Sequence, residues 1–296
     1  MSVPSRPGAG VRVTIGQLEV GMDRAANLEA AEDVLRCAAA DGALLAVLPE
    51  YSSQYEPRGV GVEHAEPLDG PWVTGLREAA ARHGVAVVAG VTTLDDAADP
   101  TEPVAVVGGR RASGGEADVP RARNVVVAIG ADGALLGTYT KVHLYDAFGM
   151  RESVSIRAGD PAAAPLVVDV GGLKVGVVTC YDLRFPESMR RVVLAGADLV
   201  VVPAAWVAGE GKAEQWRALL VARAIENAAF VVGVGQAGAG RTGRSILVEP
   251  DGRPRVELLD RPNTVSVDLD PTRVADVRER NPVLELRRYD VVPRKD

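Results

Sequence analysis

The apolar residues of this 296-residue chain fall into short, nearly unbroken runs. Val11–Gln17 and residues 43–48, 85–91, 173–179, 198–203 and 230–234 read as strands, several of them apolar almost throughout. Runs of that kind point to strands buried on both faces. Between them, apolar residues recur at helical spacing. Leu28, Ala31, Leu35 and Ala38 share one helix face, with Asn27 and Gly42 suited to its ends. Pro71 opens a second helix and Gly84 closes it. Residues 185–195, ended by Gly196, and residues 212–229 are two more, and Asp270-Pro271 suits the cap of a last one. Residues 124–130 and 134–140 flank Asp132-Gly133, a hairpin signal. Gly171-Gly172 joins 166–170 to 173–179, and the last strands are 245–249 and 264–269. Alternating strands and helices define an α/β chain, and the pattern permits either a doubly wound sheet or a two-sheet sandwich.

Three of these runs deliver an ionisable residue at or just past the C-terminal end. Residues 43–48 lead into Pro49-Glu50, residues 134–140 into Lys141, and residues 173–179 into Cys180. In open α/β sheets, ligands bind outside the carboxyl ends of the strands. Cys180 is the most informative of the three. The backbone must turn sharply there, and Pro186 sits where a helix could begin. A thiol at such a corner is lifted from the sheet, close to the positive end of a helix dipole, and thiolate is favoured. Cys37 lies among Ala38, Ala39 and Ala40 and reads as a small buried hydrophobe, so Cys180 is expected to be far more reactive. Taken alone, Cys180 admits the same structural reading; its surroundings favour the nucleophile.

The three groups have complementary chemistry. A thiol of ordinary pKa, about 8.5, needs a base or a nearby cation to react at neutral pH. Glu50 could take the proton, and Lys141 could stabilise the thiolate and then an oxyanion. The backbone N–H of Tyr181 could be the second oxyanion donor. The same glutamate could protonate a leaving amine and then activate water against a thioester.

The motifs around these residues resemble the nitrilase, or carbon–nitrogen hydrolase, superfamily. They are Leu48-Pro49-Glu50, the segment from Tyr139 to Asp146, the segment from Thr179 to Glu187, Pro203-Ala204-Ala205-Trp206, and the segment from Ala222 to Asn227. The resemblance runs from about Val11 to the C-terminal region. It implies a Glu-Lys-Cys triad at Glu50, Lys141 and Cys180, with a second glutamate at Glu152. It also selects the sandwich: an α/β fold of four layers, α-β-β-α, of the nitrilase type. Two such units commonly stack through a helical face, so a homodimer or higher homo-oligomer is expected. Arg287-Arg288-Tyr289-Asp290 resembles the family's tail, which places residues 282–296 at that interface.

The resemblance also bears on the bond that is cut. Nitrilases of the family usually have Trp-Glu-Asn after the cysteine. This chain has Tyr181-Asp182-Leu183, similar to the amidase branches and most like the one acting on ω-amides of 2-oxo acids and on deaminated glutathione. It departs from that branch at Gln215-Trp216 and at Gly243-Arg244-Ser245. Candidate substrate-binding residues are Tyr181, Arg184, Trp206 and Arg244. The two arginines could hold a substrate carboxylate by bidentate bonds; the alternative for Arg184 is an ion pair with Glu187. Hydrolysis of a small, acidic, non-peptide amide is therefore expected. Nitrile hydrolysis, acyl transfer to an amine and a non-catalytic binding protein of the same fold remain alternatives, the last predicting no labelling of Cys180 by an electrophile.

Composition narrows the partners to small molecules. A net charge of −7 invites neither nucleic acid nor an anionic membrane. No apolar run approaches the ~20 residues that span a bilayer. The three histidines, His64, His83 and His143, lack metal-ligand spacing, and no metal or organic cofactor is expected. His143 is close enough to Lys141 to support it. Two cysteines, one needed as a thiol, suit a reducing, cytoplasmic setting. Residues 1–10 lack the apolar core of a signal peptide and read as a flexible tail. Residues 11–296 read as one domain. Residues 95–123, rich in Gly, Pro, Asp and Arg, form a surface insertion expected to be locally mobile.

Overall fold

Strands that are apolar at every position need cover on both faces, and here the two faces are covered differently. The computed structural model describes residues 10–94 and 121–294. The expected N-terminal tail, bar Gly10, and the expected insertion, bar its last three residues, lie outside the described residues. Chain order is β1 (Val11–Gln17), α1 (Arg24–Ala40), β2 (Leu45–Val47), α2 (Pro71–His83), β3 (Ala86–Leu94), β4 (Ala122–Ile129), β5 (Leu135–Thr140) and β6 (Ile156–Arg157). It continues with β7 (Val167–Val170), β8 (Leu173–Val177), α3 (Pro186–Leu194), β9 (Leu199–Ala204), α4 (Lys212–Asn227) and β10 (Phe230–Gly235). The last elements are β11 (Ile246–Val248), β12 (Pro254–Glu257), β13 (Asn263–Leu269) and α5 (Thr272–Arg280).

These strands make two sheets. The first has the order β13-β1-β2-β3-β4-β5, with β6 pairing β4; the second has the order β12-β11-β10-β9-β8-β7. The strands at the centre of each sheet, β1-β2-β3 and β8-β9-β10, run parallel, and antiparallel strands flank them. Side chains alternate along each strand. Val13, Ile15, Leu45, Val47 and Val88 of the first sheet meet Val175, Val177, Val201 and Val232 of the second in one shared core. The opposite face of the first sheet, with Ala46, Val87, Val125 and Val127, packs on Ala31, Leu35, Trp72 and Leu76 of α1 and α2. The outer face of the second, with Val200, Val202, Val231 and Ile246, packs on Met189, Val193, Trp216 and Leu220 of α3 and α4. The result is the four-layer α-β-β-α sandwich, which explains why the strands lack a polar face. Among the described residues, no helix is long and apolar enough to cross a membrane.

Element ends follow local chemistry, with one correction. Pro71 opens α2, and Gly84 closes it at φ 66°, in the left-handed region that glycine tolerates. The first helix begins earlier than Asn27: Asp23 caps it, its carboxylate accepting from the Ala25 and Ala26 amides at 2.9 and 3.2 Å. Asn27 is instead buried within the helix. It donates to the Gly21 and Ser53 carbonyls at 2.9 and 3.0 Å and so ties α1 to the loop after Glu50. The sheet also resumes before residue 124, because Ala122 and Arg123 pair with Leu94 and Thr93. Two strands were not expected. β6 has only two residues, and β12 opens on a proline and is largely exposed, so neither carries an apolar run.

Gly90 on β3 is a point of close approach that the site depends on. A Cβ there would stand 2.5 Å from the Glu50 Cα and 2.9 Å from the Tyr51 amide nitrogen. We expect Gly90→Ala to destabilise the protein by roughly 1–3 kcal/mol, as overpacking does. The midpoint of urea unfolding should fall, and an unchanged midpoint would show that the turn can shift without cost.

Candidate active site

The carboxyl ends of β2, β5, β8 and β9 converge, and the turns that follow them carry the candidate residues. After β2, the turn is pinned to β3: the Gly90 amide donates to the Pro49 carbonyl at 3.0 Å and the Ser52 amide to the Gly90 carbonyl at 2.6 Å. That turn places Glu50 inward and forces Tyr51 to φ 56°. Lys141 directly follows β5, its amide bonded to the Asn124 carbonyl at 2.9 Å. Cys180 opens a short 3₁₀ turn, Cys180–Arg184, beyond β8. Its φ of 45° is left-handed for a residue with a side chain, a strained conformation of the kind found where geometry serves a site. The Thr179 hydroxyl holds this corner to β9, donating to the Pro203 carbonyl at 2.8 Å.

The structure brings Glu50, Lys141, Glu152 and Cys180 together. The Lys141 ammonium lies between two carboxylates, donating to Glu50 Oε1 at 2.9 Å and to the Glu152 oxygens at 3.0 and 2.9 Å. Lys141 is 2% and Glu50 1% exposed. Asn124 Nδ2 donates to both glutamates, at 2.7 and 3.2 Å. The second oxygen of Glu50 accepts from the Ala205 amide at 2.8 Å, and Gln236 Nε2 donates to the Glu50 carbonyl at 2.7 Å. Glu152 also accepts from the Tyr51 hydroxyl and from the Tyr145 amide, both at 2.6 Å.

This packing sets the protonation states. Burial pulls the Lys141 ammonium down, but the adjoining Glu152 and Glu50 outweigh it, and its pKa stands well above the ordinary lysine value. Burial pushes Glu152 up, yet Lys141 and the Tyr51 hydroxyl prevail and hold its carboxyl below the usual range. Cys180 corrects the expectation of a ready thiolate. Burial, and then the negative charge of Glu50, push the thiol well above its ordinary value, against the opposing pull of Lys141. The resting group is therefore a thiol beside a carboxylate that can receive its proton. Cys37, half-buried on α1, is the more exposed of the two cysteines.

One buried carboxylate organises the corner. Asp182 is fully buried and accepts from the Tyr139 hydroxyl at 2.7 Å, the Thr179 amide at 3.2 Å and the His143 amide at 3.0 Å; its other short contact is to His143 Nδ1 at 2.7 Å. It thus ties the turn bearing Cys180 to the segments on either side of Lys141. His143 stacks on Phe185, with ring centroids 3.7 Å apart, and supports the site through Asp182, not by touching the cavity.

Above the cluster opens a cavity of about 400 Å³, lined by Glu50, Lys141, Glu152, Cys180, Tyr181, Arg184, Trp206 and Lys212 among others. Tyr181, Arg184 and Trp206 thus line the same cavity as Cys180. Arg184 does not pair with Glu187. It donates to Gln215 Oε1 at 2.8 Å and lies 4.8 Å from the Trp206 ring centre. Arg244 is a correction. It is exposed and outside the cavity lining, and its contribution is main-chain: its carbonyl accepts from Trp216 Nε1 at 2.8 Å. Sequence reasoning missed Asn124, Tyr51, Asp182 and Lys212. Only Asp182 carried a signal, its place in the cysteine motif; the others are ordinary strand, turn or helix residues until the fold gathers them. Among the described residues, no group of three or more His, Cys, Asp or Glu side chains is placed to hold a metal ion.

The chain is similar to known proteins along most of its length. The carbon–nitrogen hydrolase family model matches residues 12–279. A Mycobacterium tuberculosis protein named only as a hydrolase is 36% identical over 290 residues, covering 93% of this chain and 94% of that one. A deaminated glutathione amidase of Escherichia coli O157:H7 is 34% identical over 279 residues, covering 94% and 97%. Among solved structures, a mutant amidase of Nesterenkonia sp. AN1, with the acetamide moiety of fluoroacetamide added covalently at its active-site cysteine, superposes with a TM-score of 0.73. It is 26% identical and covers 97% of each chain.

The electrostatics of Cys180 can be measured. Glu50→Gln removes the charge that opposes thiolate, so the Cys180 titration should move to lower pH; Lys141→Met removes the charge that favours it and should move the titration up. Thiolate ultraviolet absorbance, read against Cys180→Ala in each background, reports both shifts. Opposite or absent shifts would show that burial alone sets the thiol.

Proposed function

The chain belongs to the carbon–nitrogen hydrolase family, a hydrolase of non-peptide carbon–nitrogen bonds, and from that premise we propose that it is an amidase using Cys180 as nucleophile, Glu50 as general base and Lys141 as electrophile. The observation that carries this reading is the buried Lys141 ammonium, clamped between Glu50 and Glu152 at the floor of the cavity that holds the Cys180 thiol.

In this reading a small amide enters with its carbonyl over Cys180. The thiol attacks the carbonyl carbon as Glu50 takes its proton, so that charge separates only when the substrate is present. This resolves the raised pKa of the resting thiol. Negative charge develops on the carbonyl oxygen. Lys141 and the N–H of Tyr181, the second residue of the 3₁₀ turn and so without a partner inside it, are the donors for that charge. Glu50 then protonates the departing nitrogen, the carbon–nitrogen bond breaks, and a thioester remains. Water activated by Glu50 attacks the thioester and releases the acid. Glu152 acts through Lys141, keeping it charged and in place, and so is a positioning residue.

Tyr181-Asp182 in place of the nitrilase Trp-Glu supports an amide over a nitrile, and Arg184 in the cavity wall supports an acidic acyl group. The similarity to a deaminated glutathione amidase agrees with both. A free nucleophilic thiol suits a reducing, cytoplasmic compartment. Leu194 on α3 and Ile225 on α4 are exposed apolar residues of the helical layer, and Leu286 and Tyr289 beyond α5 are exposed too, in keeping with a homodimer stacked through that layer.

The test is kcat/KM for matched pairs, a 2-oxo acid ω-amide against the corresponding nitrile, with Cys180→Ala as the blank. The amide should be preferred; preference for the nitrile, or no turnover of any amide while Cys180 still alkylates, overturns the reading. Lys141→Ala should lower kcat by about 10²-fold or more, the usual loss for a missing oxyanion donor. Lys141→Arg should recover little of it, since a planar fork cannot replace a compact ammonium between two carboxylates.

A further inference from the structure

The floor of the cavity carries more negative than positive charge. Two carboxylates, Glu50 and Glu152, surround one ammonium, Lys141, which leaves one surplus negative charge among nearly buried groups. Tyr51 adds none, because burial and the neighbouring Glu152 hold its hydroxyl protonated well past the ordinary tyrosine value. The cations of the cavity wall are closer to solvent. Arg58 and Arg151 are exposed, and Arg184 and Lys212 are half-buried against aromatic rings at the mouth. A buried charge without a counter-charge is costly.

One further buried cation lies near this floor. Arg241, in the loop between β10 and β11, is 8% exposed and makes no ion pair among the described residues. Its Nη1 donates to the Gly240 carbonyl at 2.7 Å, while Nε and Nη2 are buried without a hydrogen-bond partner. The guanidinium lies 4.0 Å from the centre of the Tyr55 ring. That centre is 5.9 Å from the centre of the Tyr51 ring, whose hydroxyl bonds Glu152. The backbone fixes this position. Arg241 bridges to Val207, the Thr242 amide donates to the Trp206 carbonyl at 2.9 Å, and the Gly243 amide donates to the Gln236 carbonyl at 2.9 Å. The same two segments supply the Ala205 amide and the Gln236 side chain that bond Glu50. Burial pulls the Arg241 guanidinium below the ordinary arginine value, and the charge of Glu50 pulls it back. That attraction is mutual, so Glu50 gains from Arg241 what Arg241 gains from Glu50.

We propose that Arg241 is the distal counter-charge of the floor, a positioning residue that keeps the two carboxylates ionised and so keeps the general base ready for the thiol proton. This rests on the amidase reading above. Arg241 lies outside the cavity lining and acts without touching substrate. The other groups that face the floor do not supply a second positive charge. They are Tyr51 from the turn after β2, Lys141 from the end of β5 and Cys180 from beyond β8. At the Cys180 corner, any charge on His143 is matched by Asp182.

The experiment follows kcat/KM against pH for butyramide, a neutral amide, in the wild type, Arg241→Gln and Arg241→Lys. Arg241→Gln keeps a planar group over Tyr55 but removes the charge. The floor should then bind a proton more readily, so activity should fail at higher pH. The acid limb should move up by roughly 0.5–1 pH unit, less than the 1–3 units typical of a charge in direct contact. Arg241→Lys keeps the charge without the planar stack and should bring the limb most of the way back. A purely structural role would lower the plateau in both variants and leave the limb in place. An unmoved limb in Arg241→Gln, or an equal shift in Arg241→Lys, overturns the proposal. Carbon-13 NMR of glutamate-labelled protein supplies a readout that does not depend on turnover. The Glu50 and Glu152 carboxyl signals should titrate at higher pH in Arg241→Gln than in the wild type, and unchanged titration also overturns the proposal. If the wild type hydrolyses no amide, the amidase reading fails while this titration still decides the role of Arg241. Should Arg241→Gln not fold, as judged by its thermal melt, Arg241→Met replaces it in both measurements.

Discussion

A single buried ammonium holds this site together. Lys141 has almost no contact with water, and it survives as a charge only because Glu50 and Glu152 approach it to about hydrogen-bond distance. The dependence is mutual. The ammonium in turn holds the Glu152 carboxyl below its usual range, against burial. Removing either partner from such a buried pair typically costs about 3–5 kcal/mol, because the remaining charge is stranded. The remaining lone pairs are taken up by Asn124, Tyr51 and the amides of Tyr145 and Ala205. The cluster therefore exists only where several chain segments end together.

The sandwich provides that place. Glu50 and Lys141 come from the first sheet, and Cys180 and Ala205 from the second, so the site straddles the shared core at the carboxyl ends of the strands. Backbone groups there are free of ladder bonds and can be spent on side chains, as the Ala205 amide is on Glu50. Close packing of the two sheets makes the arrangement stiff. Gly90 leaves room for the Glu50 turn, and Asp182 clamps the strained Cys180 corner to the strand that delivers Lys141. A left-handed cysteine is tolerated because that surrounding structure over-determines it.

Charge is also layered through the cavity, with an acidic floor and a cationic, aromatic mouth. The floor suits proton transfer between a thiol and a carboxylate, since water is largely excluded and the proton has a nearby acceptor. The mouth suits orientation, where charge acts over a longer distance and need not be desolvated fully.

The sequence by itself determined most of the strands and helices and the four groups of the floor. Apolar runs are a local signal, and Glu50, Lys141 and Cys180 each sit at the end of one; Glu152 came with the family resemblance. Tertiary structure decided what no local pattern encodes. It chose Asp23 over Asn27 as the helix cap, because Asn27 is drawn to carbonyls in two other segments. It kept Arg244 out of the cavity and brought in Lys212, two residues that look alike as isolated surface cations. It also reversed the expected state of Cys180: the strand end promises a thiolate, but burial and a facing carboxylate hold the proton on sulfur. Protonation depends on every charge and dipole within a few ångströms, and most of those neighbours lie dozens of residues away along the chain.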